Sequence, residues 1–95
     1  MTKIVITPEG PEDLKTLVKG ALENEIKIIN IGLKKTREIL KKLEERYEMD
    51  TETFYKRYSN GEMGDNREYI RWAGEFETLK RLQGNLNKLS EAEVC

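Results

Sequence analysis
The sequence predicts a mostly α fold: an antiparallel helical hairpin with a short connecting helix, plus an N-terminal strand and helical arm. Two observations carry this. Leu22, Ile26, Ile29, Leu33, Thr36, Leu40, Leu43 and Tyr47 are spaced alternately four and three apart, and seven of the eight are apolar. That is the pattern of a coiled-coil seam. Tyr69, Trp72, Phe76, Leu79, Leu82, Leu86 and Leu89 form a second set at helical spacing. Two such helices joined by a compact connector fold back on one another.

The chain has 95 residues, enough for one domain with a modest core. Lys3 to Thr7 read Lys-Ile-Val-Ile-Thr; three adjacent β-branched aliphatic residues favour a short strand, placed with its turn in 1–10. Pro8, Gly10 and Pro11 punctuate it. A long helix follows over 11–47. Proline suits its first turn, and Glu12 and Asp13 favour its positive end. Gly20 and Gly32 each weaken it by about 1 kcal/mol relative to alanine, which leaves a break at either position open. A short helix over 50–59 has Asp50 or Thr51 as its cap and ends at Asn60-Gly61. The last helix is expected over 65–89. Asp65 caps it, Glu68 three residues later resembles a capping box, and 90–95 forms a frayed tail.

Length then matters. At 1.5 Å per residue, 11–47 spans about 55 Å and 66–89 about 36 Å. The second helix leaves roughly the N-terminal third of the first bare. That third carries its own stripe of Leu14, Leu17, Ala21, Asn24, Ile28 and Ile31, expected almost opposite the seam and fading at Lys35 and Glu38. Ile31 is the clearest misfit, an isoleucine where a hairpin alone would place a charge. Either another chain covers this stripe, or the helix breaks at a glycine and its first segment folds back as a third bundle helix.

Composition narrows the function. Charged residues are 37% of the chain, with Lys+Arg 17 against Asp+Glu 18. The near balance creates no long-range field that favours nucleic acid or an anionic membrane. The only cysteine is Cys95, and no apolar run reaches signal-peptide or membrane-spanning length. A reduced, cytoplasmic setting is the expectation. The Glu/Lys/Arg-rich surface with a single glutamine, Gln83, is thermophile-like. Histidine is absent, which removes the commonest general base and metal ligand. Glu44–Glu45 and Glu75–Glu77 read as solvated, ion-paired faces, and Asp65, Asn66 and Glu68 as capping residues. No acid, base and electrophile set is present. No catalytic residue, metal or cofactor is therefore expected, and no small-molecule ligand.

Six of the seven aromatics, Phe54, Tyr55, Tyr58, Tyr69, Trp72 and Phe76, fall within 23 residues. Aromatics at this spacing are usually core, with Phe54 and Tyr58 closing the end of the seam. One hairpin end is not expected to bury them all, and tyrosine and tryptophan are the usual anchors of binding surfaces. Tyr55, Tyr69 and Trp72 are therefore candidate contact residues. Lys34, Lys35, Arg37, Lys41 and Lys42 form a basic stretch interrupted by Glu38, Glu44 and Glu45.

One stretch also resembles a known group. Lys42-Leu43-Glu44-Glu45-Arg46-Tyr47, Met49, Glu52, Phe54-Tyr55, Gly61-Glu62-Met63-Gly64-Asp65, Tyr69 and Trp72 are similar to short proteins of archaea and cyanobacteria that are encoded beside toxin genes and treated as antitoxin-like. The resemblance covers about Leu43 to Leu82. Arg67, Arg71, Lys80 and Arg81 make the Trp72 helix more basic than the group's pattern. The resemblance implies neutralisation of a toxin-like partner protein by occlusion.

The expected function is a non-catalytic protein-binding module, a homodimer or a complex with a toxin-like protein. Ile4, Ile6, Leu14, Leu17, Ala21, Ile28, Ile31, Tyr55, Tyr69 and Trp72 would touch the partner. The alternative is a dimeric DNA-binding transcriptional regulator using paired N-terminal strands.

Overall fold
A glycine inside a helix costs about 1 kcal/mol relative to alanine, yet α1 (Pro11–Tyr47) runs through Gly20 and Gly32 without a break. The structure, a computed structural model, describes residues 11–94. It contains two further helices, α2 (Thr51–Ser59) and α3 (Arg67–Val94). Gly32 faces α3: a Cβ there would stand 3.3 Å from Leu82 Cδ1, a tight contact that the end of the Leu82 side chain would have to relieve by a few tenths of an ångström. Continuity of α1 removes the alternative in which its first segment folds back as a third bundle helix. The strand expected over 3–7 lies outside the described residues.

Each helix ends for a local reason. Glu48 takes a left-handed conformation (φ 50°), and the Met49 N–H then bonds back to the Glu44 carbonyl at 3.2 Å, closing α1. Asp50 caps α2, its carboxylate accepting from the Thr53 N–H at 2.7 Å. Gly61 (φ 75°) ends α2 in the left-handed region, with the Glu62 N–H donating to the Arg57 carbonyl.

The bounds of α3 depart from expectation at both ends. Asn66, not Asp65, supplies the cap, its Oδ1 accepting from the Glu68 N–H at 2.8 Å. The Glu68 carboxylate forms no capping box; it accepts from the Tyr47 hydroxyl and from Arg46. At the other end the helix continues through 90–94 instead of fraying after Leu89.

α1 and α3 pack antiparallel. Arg46 meets Glu68, Tyr47 meets Tyr69, and Gly32 meets Leu82. The same register carries the end of α3 to the level of Gly20. α3 is about 42 Å long against about 55 Å for α1, so α1 overhangs by about a quarter rather than a third. The radius of gyration, 19.5 Å, compares with about 12 Å for a compact chain of this length. The molecule is a rod of 60 × 32 × 22 Å.

Packing is densest at the head, where the helices meet. Leu40, Leu43, Phe54, Trp72, Ala73 and Phe76 are buried together, and Ile29, Leu33 and Thr36 continue the buried seam along α1. Trp72 lies flat on Phe54, with centroids 3.9 Å apart and planes 5° apart. Its indole N–H donates to Thr51 Oγ1 at 3.0 Å. The Thr51 N–H in turn donates to Glu44 Oε2 at 2.7 Å. One residue from each of three helices is thereby tied through Thr51.

Two substitutions test this packing. Trp72→Ala should lower the unfolding free energy by about 3–5 kcal/mol in denaturant titrations. Glu48→Gly should raise it by about 0.5–1 kcal/mol, because glycine takes the left-handed backbone without a Cβ penalty.

Candidate partner-binding site
The expected contact residues divide between a bare arm and a closed head. On the arm, Leu14, Leu17, Ala21, Ile28 and Ile31 are all exposed, as is Asn24. The large side chains among them leave between 53% (Ile28) and 65% (Leu17) of their surface to solvent. At 100° per residue their stripe is centred about 120° around α1 from the seam, so it flanks α3 rather than opposing it as expected. Ile28 and Ile31 therefore stay bare even at levels where α3 covers the seam.

Val18 belongs to the same surface and was not among the expected residues. It lies on the seam face, four residues from both Leu14 and Leu22, but beyond the reach of α3, and is 50% exposed. Its signal was the extension of the Leu22–Ile26 spacing one turn back. The overhang thus shows apolar side chains on two adjoining faces. Lys15, Lys19, Glu23 and Glu25 are exposed around them.

The head is more closed than its composition implies. Trp72 has no exposed surface, which corrects its assignment as a partner contact. α2 lies across the hairpin end and adds Phe54, and the last residue of α1 adds Tyr47. Both stack on the indole, Phe54 at 3.9 Å and Tyr47 at 5.6 Å. Tyr69 is half-buried between Tyr47 and Phe54, at 5.3 and 5.7 Å. Tyr55 is half-buried edge-on to Phe76; its hydroxyl donates to Glu77 Oε2 at 2.8 Å, and the Lys80 ammonium sits 4.9 Å from its ring centre. These two tyrosines are half-buried in the wall of the head, packed against its core. Ile4 and Ile6 lie outside the described residues.

Charges at the head serve structure. The Glu68 carboxylate raises the pKa of the Tyr47 hydroxyl by accepting its proton in a hydrogen bond, and Glu77 does the same to Tyr55. The Thr53 N–H holds the Asp50 carboxyl below its ordinary value. An open groove of about 680 Å³ runs beside the α1–α2 junction, between Arg37 and Lys41 on one side and Asp50 and Glu52 on the other. Its charges are of both signs, and Leu40, Phe76 and Leu79 line it as well. Among the described residues no three His, Cys, Asp or Glu side chains are placed to hold a metal ion. No described helix is long and apolar enough to cross a membrane. The chain matches no known protein family, no curated protein and no solved structure.

Thr51→Val keeps the shape at the junction but leaves the buried Trp72 N–H without an acceptor. It should cost about 1–3 kcal/mol in unfolding free energy. Asp50 contributes stability that is present above its unfolded pKa, near 3.8, and is lost as pH falls through its lower folded value. In Asp50→Asn the loss of stability between about pH 4 and 2 should be shallower than in the parent, read by denaturant midpoints across that range.

Proposed function
We propose that this chain is a non-catalytic protein-binding module that grips another protein chain with the apolar arm of α1. One observation carries the reading. Leu14, Leu17, Val18, Ile28 and Ile31 each leave half or more of their surface to solvent on two adjoining faces of a single helix. Contiguous apolar patches of this kind mark interaction sites, whereas scattered single residues do not. The arm is also well placed to bind. Its helix is continuous with the buried head, so little conformational freedom is lost when a partner covers it.

The resemblance of Leu43 to Leu82 to antitoxin-like proteins supports a toxin-like partner, neutralised by occlusion in the cytoplasm. On this reading the head is a shared rigid base, while the arm, with Ile4 and Ile6 ahead of it, selects the partner. The balanced charge, 17 basic against 18 acidic residues, favours an apolar contact over a nucleic-acid one.

The test compares the tagged chain with its Leu17→Glu, Ile31→Glu variant in pull-downs followed by native mass determination. Both positions are exposed, so helix content by circular dichroism should be unchanged. A protein bound stoichiometrically by the parent should be lost at least tenfold from the variant. A partner retained equally by both would contradict the reading.

A further inference from the structure
The stripe on the free side of α1 has an internal symmetry that its occupant must match. Leu14, Leu17, Ala21, Asn24, Ile28 and Ile31 run large, large, small, polar, large, large. Their steps are three, four, three, four, three. Read backwards about the midpoint between Ala21 and Asn24, the spacing is unchanged and large positions fall on large ones. A strip with that property complements itself turned end for end, which is the condition for a two-fold contact between identical chains.

We infer that the arm's occupant is a second copy of this chain, with the two α1 helices antiparallel over residues 11–34 as a two-stranded coiled coil. The inference rests on the reading of the arm as a binding surface and names its partner. In this pairing Leu14 meets the partner's Ile31, Leu17 the partner's Ile28, and Ala21 the partner's Asn24, each contact made twice. The three–four spacing is what lets such side chains insert between those of the facing helix.

Charge selects the direction. Asp13 directly precedes the first large residue and Lys34 follows the last by three, and both are exposed. Antiparallel pairing sets Asp13 against the partner's Lys34 at both ends of the contact, in the flanking positions that decide orientation in coiled coils. Parallel pairing sets Asp13 against the partner's Val18 and Lys27 against the partner's Gly32, with no ion pair, and stacks Asn24 on the partner's Asn24. The overlap is about 36 Å long. α3 lies about 120° around α1 from it and leaves the face clear, so the two heads project from opposite ends.

Cross-linking tests the arrangement on the purified full chain. With Cys95 changed to serine, Leu14→Cys and Ile31→Cys are made separately, then mixed and allowed to exchange before mild oxidation. Cysteine is a small apolar residue and keeps part of the contact. The mixture should give covalent dimer in more than tenfold excess over either variant alone, because position 14 sits beside the partner's 31 and about 25 Å along the axis from the partner's 14. Equal cross-linking by each variant alone would mean a parallel pair and would overturn the inference. So would a single-chain mass for the parent by light scattering at every accessible concentration. Neither result touches the wider reading of the arm, which its own pull-down comparison decides. A dimer that survives Leu17→Glu with Ile31→Glu would overturn the inference as well. Asp13→Lys should weaken dimerisation severalfold and Lys34→Asp added to it should restore it; no recovery would also count against the antiparallel register.

Discussion
The indole of Trp72, stacked on Phe54 and bonded through its N–H to Thr51, is the contact on which the rest of the structure depends. An indole N–H buried without an acceptor is costly, and here its acceptor is the hydroxyl of Thr51, the first residue of α2. The Thr51 backbone is bound in turn by Glu44 on α1. The chain of contacts runs Glu44, Thr51, Trp72, with one link on each helix. It sets the register of α3 against α1.

That register puts Leu14, Leu17 and Val18 beyond the described part of α3, while Ile28 and Ile31 stay bare because they lie on a face of α1 that α3 does not cover. Fully burying a leucine, isoleucine or valine contributes about 1.5–3 kcal/mol. For five side chains left half exposed or more, the sum is roughly 4–8 kcal/mol. Association itself costs about 4–15 kcal/mol. The arm alone is therefore a modest anchor, and a partner that brings an equal apolar strip of its own makes the contact favourable. A second copy does so by symmetry.

Much of this was legible in the sequence, and the failures have physical causes. The seam was readable because Ile29, Leu33, Leu40 and Leu43 recur with the helical period, and all four are buried. The bare arm followed from counting lengths. The end of α3 was misjudged because Leu89 seemed to close the apolar pattern. Yet Glu91 and Ala92 are good helix formers, and the helix runs on through them. Asp65 and Asn66 cap equally well, so one residue's difference lay below what pattern can resolve. The closing of the head was not readable at all. It depends on α2 crossing the hairpin and on ring planes meeting across 15 to 25 positions of chain, which no local spacing encodes. Gly32 looked like a weak point of α1, yet the helix runs through it and packs there against Leu82.

Amide hydrogen exchange by NMR, on the isolated chain at high dilution, tests most directly whether a single copy leaves the arm without cover. Amides at Leu17 to Ala21 are expected to exchange orders of magnitude faster than those at Leu40 to Leu43 and at Ala73 to Phe76, which open only when the head unfolds. If the arm amides of a dilute monomer proved as slow as those of the head, something within the one chain would already be covering Leu14, Leu17 and Val18, and no companion would be required.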